Sequence, residues 1–534
     1  MLSSPSVNDQ PAADPVSDRL PAGSGRGGER KIEELFLIAM TGIGFQDAFF
    51  AWPKERRDRF DELVRAATRE DPEQVAGFLR WLRTETPMRY PALAGVAAFV
   101  SERLLRGEHG MSRQLVDAVL RRADDPGHLL AYWTAVYGPA LPKPVKRGVA
   151  DAVTRLYDEH ALLAYDTDSH HFALGGFLRE ELTLRGGIRA ARPLRFGEVI
   201  ELVHPVARDQ AQGDLFRYAL NRRHGRARTT PESLSLVGRR SELLDTPVAH
   251  RRAKAALPGI GAEFAELGIS WPKVSAWLGE RPGRDVWERL IPAMPVGELL
   301  YNLRRFDAAG VGFEPAMAAA ARITDAAEVT AAGLGPMRFA AARSGVITRR
   351  WTPALEAGAA HSLATIPRLP GRTLIVLNPR DDASVVFGLA LAQRCADVDV
   401  VALSGKPFEV VPDESPLHGL IRWRSTELGF EWARGLDAVG STFAGHDRVV
   451  LVDDGLDDLG EAGLSADIPL YAWDTAHFRS QVRGHPGMAP DVAPIDPARM
   501  VFPGLDDAAF SVIPLIEAVR AGRRPWLSSS TMDF

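Results

Sequence analysis

The period of the apolar residues changes once along the chain, close to Gly371. Before this point, apolar residues recur at helical spacing, as through 145–156, and charged residues occupy another face of each helix. After it, short β-type runs alternate with helical patterns, which is the order of a mainly parallel sheet built from βαβ units. The sequence therefore predicts two domains of different architecture, all-helical over 31–370 and α/β over 371–534.

The helical part shows no strict internal repeat, but Pro and Gly punctuate its many amphipathic helices at intervals. Such a run of helices is typical of an α-solenoid of HEAT-like helix pairs. Residues 1–30 lack the apolar core of a signal peptide and are predicted to form a disordered tail. Since no apolar run approaches the ~20 residues that span a bilayer, we expect a cytoplasmic protein without membrane contact.

Charge is divided unequally between the two parts. The chain has a net charge of −5, yet residues 371–534 carry 14 Lys and Arg against 24 Asp and Glu, so the part before them is net basic. Within that part, residues 181–260 hold 15 basic and 8 acidic side chains. On charge alone, the excess of arginine favours a solvated arginine-rich face, and a polyanionic partner for the front part is the alternative.

The single cysteine, Cys395, excludes an intrachain disulfide and any multi-cysteine zinc or iron–sulfur site. It lies in an apolar run with a helical pattern, so we expect a buried structural thiol rather than a reactive one. The sequence contains no phosphate-binding glycine motif, no nucleophile elbow and no HExxH motif, so we expect that the chain is not an enzyme. A hydrolase that uses the Asp-rich strand ends is the weaker alternative.

Polar side chains follow the predicted strands of the α/β part. Asn378 ends the first strand, Asp453 and Asp454 end a later one, and Asp474 ends the next. Because the carboxyl ends of parallel strands share one edge of a doubly wound sheet, we expect these groups to lie close together. Oxygen ligands of this kind suit Mg²⁺, so a metal site is one interpretation of this edge.

This arrangement resembles the metal-ion-dependent adhesion site of von Willebrand factor A domains, in which D-x-S-x-S, a Thr and an Asp bind a divalent cation. The matching positions in this chain are, in order, Asn378, Arg380, Asp382, Thr426 and Asp454. A guanidinium has no lone pair and cannot bind a cation. We therefore expect a degenerate site without a metal cofactor, in which Arg380 replaces the cation and pairs with Asp382 or Asp454. A solvated Arg380 in an exposed turn is the alternative.

Four segments, in the same order along the chain, resemble the Ro ribonucleoprotein family, also known as TROVE proteins. They are LPKPVKRGVADAV (141–153), FGEVIELVHP (196–205), VWERLIPAMPVGELLYNLRRF (286–306) and GLGPMRFAAA (333–342). The third segment is the most specific, because it keeps the Trp, Met-Pro, two Leu and Asn-Leu of the family's most recognisable helix. The resemblance implies a multidomain α plus α/β fold. In this fold a HEAT-like helical ring is closed by a doubly wound von Willebrand A-type domain.

The resemblance also implies a non-catalytic RNA-binding protein. In the family, single-stranded 3′ ends of misfolded RNAs pass through the ring, and Y RNAs bind its basic outer surface. In bacteria the complex can deliver RNA to an exoribonuclease, polynucleotide phosphorylase. A ring closed within one chain favours a monomer. The alternative function is a protein-interaction scaffold that uses the A domain and has reduced or lost RNA binding.

Ten residues are candidates for RNA contact. They are Lys143, Lys146, Arg147, Arg185, Arg189, Arg192, Arg195, His204, Arg222 and Arg223. The resemblance supplies most of them. His204 matches the His of the family's RNA-contacting motif, the four arginines within 185–195 lie just before that motif, and the first three cations lie on the matching basic helix. Arg222 and Arg223 are candidates on charge alone, as part of a basic loop that the resemblance does not reach. The alternative is helix capping for His204 and solvation for the arginines.

Overall fold

The structure is a computed structural model that describes most of the chain. The described residues are 25–42, 54–165, 193–226, 229–428, 435–453, 464–465, 467–475, 498–502 and 504–528. The described residues up to about 365 form helices joined by turns and loops, and the sheet follows them. Within these ranges, no helix is both long enough and apolar enough to cross a membrane.

The helical region holds twenty α-helices within the described residues. The first ten are α1 (Gly25–Met40), α2 (Lys54–Glu70), α3 (Pro72–Thr84), α4 (Arg89–Leu105), α5 (Ser112–Val119), α6 (Asp125–Tyr137), α7 (Lys143–Leu156), α8 (Glu159–Tyr165), α9 (Phe196–Val203) and α10 (Gln210–Arg223). The next ten are α11 (Ser235–Leu244), α12 (Val248–Ala255), α13 (Ile260–Glu266), α14 (Trp271–Leu278), α15 (Arg284–Leu290), α16 (Val296–Ala308), α17 (Phe313–Ile323), α18 (Ala326–Ala331), α19 (Pro336–Gly345) and α20 (Thr352–Ser362).

Local sequence signals explain where these helices begin and which face they bury. At the start of α3, the Asp71 carboxylate accepts the backbone N–H of Gln74 at 2.9 Å, and Pro72 occupies the first turn. In α16, the stripe Leu299, Leu303 and Phe306 is fully buried, as its helical spacing predicts. Burial of such stripes, rather than helix propensity alone, stabilises helices of this length.

Two boundaries differ from the sequence prediction. Helix α1 begins at Gly25, inside the segment assigned to the disordered tail, because the buried stripe that includes Ile32 and Phe36 anchors a helix whose first turns are polar. The segment 286–306 is two helices rather than one, since a 3₁₀ turn over Ile291–Ala293 and the Pro295 that follows it separate α15 from α16.

The α/β domain contains six strands and five further helices among the described residues. The strands are β1 (Leu369–Leu377), β2 (Cys395–Ala402), β3 (Pro407–Phe408), β4 (Arg448–Asp453), β5 (Leu470–Asp474) and β6 (Arg499–Phe502). The helices are α21 (Asp382–Ala392), α22 (Pro416–Ser425), α23 (Gly435–Thr442), α24 (Val512–Arg520) and α25 (Pro525–Ser528).

The sheet is doubly wound. Its strand order is β3-β2-β1-β4-β5-β6, and all neighbours are parallel except the antiparallel β2–β3 pair. One face, with Leu374 and Val376, packs against α23. The other face, with Ile375 and Leu377, is continuous with the main hydrophobic core and is covered by α21. Burial on both faces explains why the strands are continuous apolar runs instead of alternating ones.

Cys395 is the first residue of β2, so the prediction that it lies in a helix is wrong. The helix of this segment ends at Ala392, and the chain turns directly into the strand. The thiol is half-buried, and burial raises its pKa to about 11. The thiolate is therefore a minor species at neutral pH, as expected for a structural thiol.

The α/β domain closes the helical region into a ring, because it contacts both ends. At one end, Trp526 of α25 packs between Phe36, Phe78 and Trp81, with ring centroids 5.5–5.8 Å away. An ion pair between Arg524 and Glu33 lies beside this cluster. At the other end, α19 and α20 pack on α21 and α22. The first and last helices of the region are thus held on one domain.

Candidate nucleic-acid interface

Helix α7 presents its basic residues outward because its apolar face is fixed on neighbouring helices. Val145, Val149 and Val153 are buried. Gly148 permits a close approach to α5, since a Cβ atom there would lie 2.6 Å from the carbonyl oxygen of Arg113. Of the cations in the first two turns, Lys143 and Arg147 are exposed and Lys146 is half-buried.

These three cations have no carboxylate partner among the described residues. Other charged groups on and beside α7 are already paired: Arg113 binds Asp151 at 2.6 Å, and Arg155 binds Asp117 at 2.7 Å. The three side chains also stand at the amino end of a helix, where the helix dipole favours an anion. Positive charge is therefore concentrated at the start of α7, and no carboxylate of the described residues neutralises it.

His204 ends α9 in a left-handed conformation, with φ of 51°, and its backbone N–H donates to the Ile200 carbonyl at 2.9 Å. Its imidazole is exposed. The segment just after it is attached to α7, because the Thr154 hydroxyl donates to the Val206 carbonyl at 3.0 Å. Thr154 lies eleven residues after Lys143, or about 16 Å along the helix. His204 thus caps a helix and also lies near the carboxyl end of α7, whose amino end carries the cations.

The other candidate arginines differ in their surroundings. Arg185, Arg189 and Arg192 lie outside the described residues. Arg195 precedes α9 with an exposed side chain, and its backbone N–H donates to Glu198 at 2.8 Å. Arg223 forms an ion pair with Glu201, because α9 and α10 pack closely where Gly197 leaves no side chain between them. Its charge is therefore partly neutralised within the protein.

Three cations, which we call the Arg222 cluster, interact with one another although the sequence does not reveal them as a group. They are Arg222, Arg240 and Lys273. Burial, and then repulsion by Arg222, lowers the pKa of Arg240. Burial, and then repulsion by Arg240, lowers the pKa of Lys273 to about 8. Among the described residues, Arg240 and Lys273 donate only to backbone carbonyls, those of Leu163 at 2.8 Å and Gly268 at 3.1 Å. Arg240 lies in the basic segment 181–260, but no sequence signal indicated Lys273.

At the carboxyl edge of the sheet, two of the predicted polar groups are in contact. The Asn378 amide donates to Asp453 at 3.1 Å, and both side chains are buried. Asp474 is in register with Asp453 on the neighbouring strand. The backbone N–H of Arg380 donates to the Asn378 side chain at 3.0 Å. The turn after β1 is thus tied to the end of β4.

The adhesion-site positions do not all point toward this edge. Asp382 forms an ion pair with Arg424 at the end of α22, a partner that the sequence hypothesis did not include. The exposed Thr426 hydroxyl donates to the Arg422 carbonyl at 2.8 Å. Asp454 and its pairing with Arg380 lie outside the described residues. Across the described residues, no three His, Cys, Asp or Glu side chains are grouped so that they could hold a metal ion.

Comparison with known proteins identifies the fold. No family model matches the chain, and no curated protein matches its sequence. Among solved structures, the chain is similar to the crystal structure of the Ro (RSR) protein of Deinococcus radiodurans, with a TM-score of 0.61. The match covers 87% of this chain and 94% of that one at 16% sequence identity. The predicted fold class and the resemblance to Ro proteins are therefore confirmed at the level of the fold.

Proposed function

We propose that the protein binds RNA through its helical ring and performs no catalytic step. The Ro-like fold over most of the chain supports this proposal, although a fold alone does not determine a function. The observation that carries it is the group of three cations at the start of α7, Lys143, Lys146 and Arg147. In this part of the ring, where Arg113 and Arg155 are paired, these three have no carboxylate partner among the residues that the structure describes.

Electrostatics alone would give such a surface affinity for RNA with little sequence preference. Cations that contact phosphates release condensed counterions, so binding weakens steeply as salt increases. Selection would come from shape, since a single strand can enter spaces that exclude a duplex, and its bases are free to stack. We infer that the RNA class is a structured non-coding RNA, either Y-like or misfolded with a single-stranded 3′ end.

A titration with two RNAs tests this function. The first is a stem-loop with a single-stranded 3′ tail, and the second is the same stem with a blunt end; each is titrated at two salt concentrations. We expect tighter binding of the tailed RNA and a strong loss of affinity at the higher salt. Absence of binding to both RNAs by folded protein would contradict the proposal.

One observation favours the alternative, a protein-interaction scaffold with reduced RNA binding. The ion pair between Arg223 and Glu201 neutralises one of the ten candidate residues. In that case a protein partner would remain bound after ribonuclease treatment. For the RNA-binding function, we propose a cytoplasmic monomer that can deliver RNA to an exoribonuclease such as polynucleotide phosphorylase.

A further inference from the structure

Two aromatic rings and an arginine form a compact group on α14 and α16. Trp271 opens α14, and Tyr301 and Arg305 lie one turn apart on α16. The ring centroids of Trp271 and Tyr301 are 6.1 Å apart, with an angle of 40° between the planes. The Arg305 guanidinium lies 4.2 Å from the Trp271 centroid and 4.9 Å from that of Tyr301. Arg305 thus contacts both rings.

The group is held rigidly from behind. Arg305 donates to the side-chain oxygen of Asn302 at 3.1 Å, and Asn302 is fully buried. Trp271 packs on the buried Trp287, with centroids 5.9 Å apart. The positions of Trp271 and Arg305 are therefore fixed before any ligand arrives, which reduces the entropy lost on binding.

Its outer side is open to solvent. The Tyr301 side chain is 65% exposed, although large aromatic residues are usually buried. Arg305 has no carboxylate partner among the described residues, and the exposed Arg304 beside it adds a second positive charge. The group therefore offers an aromatic face together with positive charge that is not neutralised locally.

We propose that Trp271, Tyr301 and Arg305 form a stacking site for an unpaired nucleobase of the bound RNA, a proposal that rests on the RNA-binding function above. A base stacks on Tyr301, while Arg305 attracts the adjacent phosphate. A duplex cannot use this site, because its bases are already stacked on one another. A cationic ligand is disfavoured, because the Arg305 guanidinium already contacts both rings and would repel it.

Two oligonucleotides with the same number of phosphates test the site. One carries its bases, and the other is abasic along its single-stranded tail. For the Tyr301→Ala variant we expect about a tenfold loss of affinity for the first RNA and no loss for the second. The salt dependence should be unchanged, since no charge is removed. Tyr301→Phe keeps the ring and should bind like the wild type.

Phe313→Ala is the matched control, since Phe313 is an exposed aromatic, at 78%, outside this group. It should leave both affinities unchanged. Equal affinities of Tyr301→Ala and wild type for the base-containing RNA would overturn the stacking site alone. So would an equal loss for both RNAs, which indicates an indirect effect. Failure of the wild type to bind either RNA would overturn the RNA-binding function as well.

Discussion

The ring and the α/β domain both pair many arginines with carboxylates, but they differ in net charge and in where cations without such partners are grouped. In the α/β domain, arginines at several points of the sheet and its helices lie on carboxylates. The pairs include Arg372 with Asp399 at 2.7 Å, Arg422 with Glu414 at 2.7 Å, and Arg448 with Glu517. In the ring, the start of α7 and the Arg305 site carry cations without carboxylate partners among the described residues. The modest net charge of the front part therefore conceals local sites at which positive charge is concentrated.

The difference separates two roles. The acidic α/β domain pairs several of its arginines with its own carboxylates, and it holds the two ends of the ring through Trp526 and through α21 and α22. Within the described ranges, the ring groups cations without carboxylate partners at the start of α7 and beside Trp271, where a polyanion can approach. Net charge alone would not reveal this division, because a paired arginine and an unpaired one contribute equally to it.

The largest expected effect concerns ring closure. Trp526→Ala removes a fully buried ring from the contact between the α/β domain and the first helices. We expect a loss of about 3–5 kcal/mol in the free energy of unfolding, from lost burial and the cavity that remains. Urea denaturation measures it. The neighbouring Leu527, 45% exposed, provides the control, and Leu527→Ala should cost less than about 0.5 kcal/mol. If the two variants lost equal free energy of unfolding, the ring would be closed by contacts other than that of Trp526.

The second effect tests whether RNA contacts the cations of the ring and not those of the α/β domain. Replacing Lys143, Lys146 and Arg147 together by Ala should lower the slope of log Kd against log salt by about 2 to 3, at 0.7–0.9 for each lost phosphate contact. Arg147→Ala and Arg523→Ala form a matched pair, because each removes one exposed arginine without a described carboxylate partner. Only the first variant, in the ring, should change the slope. A change with Arg523→Ala would show that RNA also contacts the α/β domain.

The third effect is a pH dependence that only the ring should show. Lys273 has a pKa of about 8, lowered by burial and by Arg240. A bound phosphate favours the charged amine, so binding raises this pKa, and affinity should fall as the pH rises through 8. Between pH 7 and 9 the loss should reach at most about tenfold. Lys273→Arg stays charged and should remove this pH dependence while keeping affinity. An unaltered profile in that variant would exclude Lys273 as its origin.

The smallest effect concerns the degenerate adhesion site. The pair of Arg424 and Asp382 is exposed, so Arg424→Ala should change the free energy of unfolding by at most about 1 kcal/mol. Because we expect no cation at this edge, Mg²⁺ should shift the thermal midpoint of neither the wild type nor this variant. A clear stabilisation by Mg²⁺ would indicate that the edge can still bind a metal.

The fold was largely predictable from the sequence, because apolar period and segment order both report burial. The stripe ending at Phe306 and the run 374–377 are buried as their patterns require. The sequence places Cys395 in a helix although it opens β2, because short apolar runs fit helices and strands alike. The short strands β3 and β6 were missed, since four or fewer residues carry too weak a pattern.

The candidate site was less predictable, because charge pairing is a property of tertiary structure. Arg147 and Arg223 look alike in the sequence, yet in the described part of the chain only Arg223 meets a carboxylate, Glu201, across a helix interface. The pKa of Lys273 depends on burial and on Arg240, which is 33 residues away in the sequence. No local pattern contains such information.

Ultraviolet crosslinking of the full chain to a tailed RNA, followed by peptide mass spectrometry, tests the central claim most directly. The claim is that RNA contacts the ring and that the α/β domain serves to close it. We predict crosslinked peptides that contain the start of α7, the Arg222 cluster, or Trp271 and Tyr301. We also predict that no peptide from residues 371–534 is crosslinked. Crosslinks concentrated in residues 371–534, with none in the ring, would contradict the account.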